Sequence, residues 1–381
     1  MKDTLLTQKQ FAAMIVTSLL SPLLRSLPRA TVSAAGRGAW LSVAPALGLL
    51  LAMLAFQAAL LRQLRPGEGY AQLLLRWLGP VAGRIALFLY AAFFLFYTGF
   101  IFRSGSERLV AAIYPESPLF PFMLVMMGLC LLVSLGTVRA LGRTAFFLRS
   151  FLLISLGLIL LFAAPNLERG NLTPIPWEDL GGIALGALPI AAIGGLAGAF
   201  PFLMGYVEPV AQPGRRAVPT LLFLLALAGI LSLEVIGTFG AALVQRLSYP
   251  FFLMVRDISV FHITQRIEAL VVVLWMFADF ILCVSMLRCA YEALRTALTL
   301  PEPDSEPLRS LRKGRWLLCA EAAAVLLCSR LIARSTFDLA VIADRVIPLA
   351  GFCFIYIGLA LCWCVGRLRK KAALRRDGRP K

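Results

Sequence analysis

Histidine is all but missing from this chain of 381 residues, the single one being His262. No Cys-x-x-Cys pair stands beside it, so a zinc or thiol-redox centre is excluded as the organising feature. Neither a Gly-x-Ser-x-Gly element nor a phosphate-cradling Gly-x-x-x-x-Gly-Lys-Ser/Thr run occurs, which leaves hydrolase and ATPase chemistry without a seat. No enzyme, metal or cofactor is expected. Charge is scarce as well, at 15% of residues against about a quarter in soluble domains. Acids are the scarcer sign, 20 Asp and Glu against 37 Lys and Arg, for a net charge of +17. What fills the chain is apolar: 60% hydrophobic residues and a mean hydropathy of +0.84. A span needs about 20 predominantly apolar residues, so the composition predicts a multi-pass membrane protein with no large soluble domain.

Apolar runs bounded by charges or Gly/Pro clusters predict ten spans, at 10–32, 39–61, 81–102, 118–137, 144–164, 182–207, 218–243, 263–288, 316–333 and 340–365. Lys2 and Lys9 before the first run resemble a signal-peptide flank, but Pro22 and Arg25 interrupt it and further spans follow, so it reads as a retained helix. With the N-terminus inside, 23 basic residues fall in cytoplasmic segments and 7 outside, among them Arg103 and Arg108. That asymmetry obeys the positive-inside rule and explains the basic balance without nucleic acid. Both termini are predicted cytoplasmic, and 366–381 reads as a basic tail. The eight cysteines lie almost wholly in apolar runs, as small hydrophobic filler.

Ten spans divide into 10–166 and 181–365, and an odd number per half predicts a five-plus-five inverted repeat. The first span of each half carries helix breakers: Ser21, Pro22 and Pro28 in span one, Gly194, Gly195, Gly198 and Pro201 in span six. Discontinuous helices at matching positions place a ligand near the bilayer midplane, on freed backbone groups. The bland alternative is that Gly and Pro are common in membrane helices. The expected ligand-binding set is Ser21, Pro22, Arg25, Tyr97, Gly194, Gly195, Gly198, Phe200, Trp275 and Asp279. Glu268, Trp275 and Asp279 stand seven and four residues apart, on one helical face. An intramembrane carboxylate faces a cavity or a partner, so Asp279 is either a ligand group or half of a pair with Arg25 or another buried arginine, Arg25 being the expected one. Tyr90, Phe94 and Tyr97 share a face as pocket wall or as packing. Glu234, Glu321 and Asp344 are the remaining acids in spans.

One block is specific enough to suggest a family: Tyr249-Pro250-Phe251-Phe252-Leu253-Met254-Val255-Arg256-Asp257-Ile258-Ser259, followed by Gln265-Arg266-Ile267-Glu268-Ala269-Leu270 and Leu274-Trp275-Met276-Phe277-Ala278-Asp279-Phe280. It resembles the GerAB-like spore germination proteins, as do Leu27-Pro28-Arg29, Ala34-Ala35-Gly36 and Ala39-Trp40-Leu41 around the first turn. The chain departs from that family at Ser21-Pro22, where relatives more often carry glycine, and at Phe200-Pro201, which lacks a nearby acid. The resemblance implies the amino acid, polyamine and organocation transporter superfamily, hence a five-plus-five fold with a small-molecule pocket. It also implies the spore inner membrane, a germinant such as an amino acid, and two partners: an A-type membrane subunit and a C-type lipoprotein. Three readings stay open: a germinant sensor, a secondary transporter of an amino acid or cation, and a structural subunit with a vestigial pocket.

The charge distribution is testable. In a background lacking native cysteines, a cysteine at Asn171 is expected to react with an impermeant reagent from outside, and one at Arg309 is not. Labelling of the second site in intact cells overturns the orientation.

Overall fold

The computed structural model describes residues 5–113, 116–174, 177–208, 216–257, 267–300, 309–333 and 336–376. Among these residues all regular structure is helical, and the one β feature is an isolated bridge between Leu6 and Val207. His262 and part of the signature block, 258–266, lie outside the described residues, as do the side chains of Glu268 and Asp344.

Thr7 starts the first helix with a capping box: its hydroxyl accepts from the Gln10 amide at 3.3 Å, and the Gln10 side chain accepts from the Thr7 amide at 3.1 Å. Helix α1 then runs unbroken over Gln8–Ala35, through both Pro22 and Pro28. The expected break in the first span is therefore absent. Each proline removes one amide donor, yet hydroxyls one turn on keep nearby carbonyls bonded. Ser26 donates to the Pro22 carbonyl at 3.0 Å, and Thr31 to those of Leu27 and Pro28 at 2.9 and 3.1 Å. These bonds add to the turn after each proline, and packing against the helices at Val138–Ala163, Leu180–Gly195, Ala217–Phe239 and Ile267–Ala297 keeps the helix continuous.

Gly36, at φ 52°, turns the chain into a 3-10 segment Gly36–Ser42 that leads to α2 (Val43–Leu61). Helix α3 (Tyr70–Ile113) bends at Gly79, whose φ of 77° suits glycine alone, just before Pro80. It continues well past the expected end at residue 102. There follow α4 (Leu119–Ser134), α5 (Val138–Ala163), the short α6 (Arg169–Leu172) and α7 (Leu180–Gly195), which Asp179 caps by accepting from the Gly182 amide at 2.8 Å. Helix α7 is prolonged by a 3-10 segment, Leu196–Tyr206. The interruption expected in span six is thus a change of winding at Gly195, with no gap in the helix. Then come α8 (Ala217–Phe239), α9 (Ala241–Val244), α10 (Pro250–Arg256), α11 (Ile267–Ala297) and α12 (Arg309–Leu331). The chain closes with α13 (Thr336–Val341), α14 (Ile347–Phe352) and α15 (Leu359–Arg376), joined by π-helical turns at Ile342–Val346 and Cys353–Gly358. Residues 366–376 of the expected tail are helical.

Among the described residues, seven helical stretches are long and apolar enough to cross a membrane. The first, Gln8–Leu61, contains two of the expected spans, on either side of the Gly36 turn. Helix α4 is apolar but has only 16 residues, and α12 begins with Arg309, Arg312, Lys313 and Arg315. Helix α11 is the axis of the bundle, packed along α3 and α1, with Ile281, Cys283, Val284 and Met286 wholly buried. At one end Leu6 pairs with Val207, the Tyr206 hydroxyl donates to Glu292, and Arg295 binds Glu292 at 2.7 Å. Arg288 donates to the Gly136 carbonyl and Arg369 to that of Leu78 at the same level.

Glycine marks where helices touch. A Cβ at Gly186 of α7 would collide with Ser42 and lie 3.1 Å from Ala35, whereas one at Gly128 of α4 would meet nothing within 4 Å. Gly186→Leu is expected to cost about 1–3 kcal/mol by overpacking, and Gly128→Leu to leave the thermal midpoint in detergent unchanged. Equal midpoints for the two variants contradict this packing.

Candidate ligand site

Three helices meet at one buried carboxylate. Asp279, 1% exposed on α11, accepts from the Ser21 hydroxyl of α1 through one oxygen and from the Arg108 guanidinium of α3 through the other. Arg108 is itself 5% exposed. Its other terminal nitrogen donates to Ser104 at 3.1 Å, and its guanidinium lies 5.3 Å from the Trp275 ring and 6.0 Å from that of Tyr249. Gly105 makes room for the pair, since a Cβ there would lie 3.3 Å from an Asp279 oxygen. Trp275 in turn packs against Phe251 and Phe252 of α10, with ring centroids 6.0 and 5.8 Å away. The Tyr249 to Arg256 motif thus supports the ion pair from the side.

This corrects the expected Asp279–Arg25 pair: the partner is Arg108, a residue the sequence reading left in an outer connection. Charges at 103, 107 and 108 ended the apolar run, but α3 stays helical beyond it. The i, i+4 signature was available: Arg103 pairs with Glu107 at 2.9 Å, and Ser104 meets Arg108 at the same spacing.

Arg25 is also buried, at 5% exposed, about 6 Å along α1 from Ser21. It lies 5.0 Å from the Phe100 ring and beside the Tyr97 hydroxyl, while its Nε and one terminal nitrogen have no hydrogen-bond partner. Two arginines against one aspartate leave a unit of positive charge in excess. Arg25 lines a cavity of about 490 Å³ together with Pro22, Tyr97, Phe100, Leu196 and Arg345. The cavity wall is mainly apolar, and the Arg25 guanidinium is a buried positive group within it.

The expected residues divide between two places. Ser21, Pro22, Arg25, Tyr97, Trp275 and Asp279 gather around the charged cluster and its cavity. Gly194 and Gly198 line a separate cavity of about 150 Å³ with Gln57 and Tyr356, Gly195 accepts from the Tyr356 hydroxyl at 3.1 Å, and Phe200 meets Phe11 edge-on at 6.3 Å. The division follows from α7 staying helical: its glycines admit neighbouring side chains, and a Cβ at Gly198 would collide with Ile355. Tyr90 and Phe94 are packing groups, the Tyr90 hydroxyl donating to the Phe354 carbonyl at 2.7 Å and both rings resting on Phe202. Glu234 and Glu321 are buried elsewhere, with one and both carboxylate oxygens unpartnered.

Removing half of a buried pair strands the other charge at a cost of about 3–5 kcal/mol. Asp279→Asn is therefore expected to lower the yield of folded protein, Arg108→Gln in the same chain to restore much of it, and Arg25→Gln in its place to restore none. Rescue by the Arg25 variant instead reverses the assignment.

No curated protein matches the chain significantly. The model of a protein family described as "Spore germination protein" matches residues 5–300. Among solved structures, the chain resembles a Na+-coupled sialic acid symporter in a substrate-bound outward-open state, at a TM-score of 0.58 and 13% identity, over 91% of this chain and 77% of the symporter. At that identity the likeness establishes a transporter fold and nothing finer.

Proposed function

The chain belongs to the spore germination protein family, and on that premise we propose that it is the membrane subunit of a spore nutrient-germinant receptor, binding a small germinant such as an amino acid and triggering germination. The observation that carries this reading is Arg25: a buried guanidinium, bonded to no carboxylate among the described residues, in the wall of a cavity of about 490 Å³. In this reading a germinant carboxylate docks on Arg25 and the apolar remainder lies against Phe100 and Leu196. Ser21, Tyr97 and the Arg108–Asp279 pair hold the arginine and its helix in place. A ligand shifts a conformational equilibrium only through unequal affinity for its states. Arg25 on α1 faces Tyr97 and Phe100 on α3, so closing these helices on the ligand would supply that inequality.

The same proposal includes ten spans as a five-plus-five repeat divided at 10–166 and 181–365, with both termini in the cytoplasm. It also includes residence in the spore inner membrane beside an A-type membrane subunit and a C-type lipoprotein. The second reading, a secondary transporter of an amino acid or cation, draws on the symporter likeness. Uptake of labelled solute into proteoliposomes by the chain alone favours it over the sensor.

Deletion in the native spore former, scored against amino acids, sugars and nucleosides, is expected to abolish the response to one nutrient class. For that nutrient, Arg25→Gln is expected to raise the half-effective concentration about tenfold or more, as loss of a charge-assisted hydrogen bond requires, at unchanged protein level. An unaltered dose-response in that variant refutes the Arg25 site.

A further inference from the structure

On the flank of the bundle, α1, α5 and α8 enclose an open cleft of about 700 Å³ that the germinant reading leaves unused. Three cations from three helices converge on it: Lys9, Arg149 and Arg216. No acidic residue lines it, and among the described residues none of the three takes part in an ion pair. The rest of the wall is apolar, including Val16, Ile154 and Phe223.

Arg149 is the informative member. It shares its face of α5 with Phe146 and Leu153, three and four residues away, and Phe146 is 38% exposed, an apolar setting for a cation. Its guanidinium rests 4.9 Å from the Phe146 ring. One arginine in such a place is accounted for by snorkelling to the interface. Three mutually repelling cations around one cleft are not, because they raise each other's energy until an anion sits between them. That anion must also suit apolar walls, which a free phosphate ion does not.

We propose that this cleft seats an anionic phospholipid, its phosphate held by Lys9, Arg149 and Arg216 and its acyl chains lying on the wall formed by Val16, Ile154 and Phe223. Basic pockets between membrane helices recognise lipid headgroups in this way. Ala12, Arg216 and Thr220 also border the smaller cavity of about 150 Å³, so the lipid braces the inner half of α1 against α8. Arg25 and Ser21 lie further along that same helix.

The test is lipid retention by the purified full-length chain, measured by native mass spectrometry with phosphatidylglycerol and phosphatidylcholine of identical acyl chains. Wild type is expected to retain phosphatidylglycerol about tenfold more strongly, and the Arg149→Gln, Arg216→Gln double variant to retain both lipids equally. Equal retention by wild type, or undiminished phosphatidylglycerol retention in the double variant, overturns the proposal. So does displacement of phosphatidylglycerol by millimolar inorganic phosphate, which marks a plain anion site. If the double variant does not fold, Lys9→Gln with Arg216→Gln, both at exposed positions, is judged by the same criteria. None of these outcomes depends on which germinant, if any, binds at Arg25.

Discussion

An ionised carboxylate inside a bilayer has to be neutralised where it stands, because no water is near enough to do it, and the way Asp279 is neutralised organises the centre of this protein. One oxygen is taken by α1 through Ser21 and the other by α3 through Arg108, while the aspartate itself belongs to the most deeply buried helix, α11. The contact therefore registers three helices against each other in rotation and height, which apolar packing alone does loosely. Ser104, Trp275 and Tyr249 surround Arg108, and α10 supports Trp275 through Phe251 and Phe252.

That arrangement leaves Arg25 without a carboxylate of its own. Had Asp279 paired with Arg25, the surplus charge would sit on Arg108, and the guanidinium beside the cavity of about 490 Å³ would be occupied. With Arg108 in that role, the second arginine keeps donor capacity and the surplus positive charge. Neutralising Asp279 and lining the cavity thus fall to different residues, Arg108 on α3 and Arg25 on α1. The same division explains why a transporter fold serves a germination protein family: fold supplies the chamber, and the function lies in the groups that line it.

The membrane also reaches the protein from outside. The cations of this chain are not interchangeable: Arg288 and Arg369 bond backbone carbonyls, whereas Lys9 and Arg216, with Arg149 from within a span, line an open cleft. Charge counting treats all of them alike, and only tertiary placement separates residues that fasten the bundle from residues that line a cleft.

Composition and run length were enough to read an all-helical membrane protein, because burying backbone in hydrocarbon admits few solutions and twenty apolar residues announce one of them. The family was legible too, from the motif between Tyr249 and Phe280, as was the importance of Asp279, since a charge in an apolar run is conspicuous. Pairing was not legible. Arg108 stood beyond the apparent end of its span, and hydropathy registers where apolar residues stop, not where a helix stops. Nor did proline and glycine reveal whether a helix breaks: in α1 the hydroxyls of Ser26 and Thr31 bond carbonyls around the prolines, and in α7 the glycines admit Leu50, Met53 and Ile355 while the backbone only changes its winding. Those outcomes depend on which neighbours stand one turn away or across an interface, and the tertiary structure alone decided them.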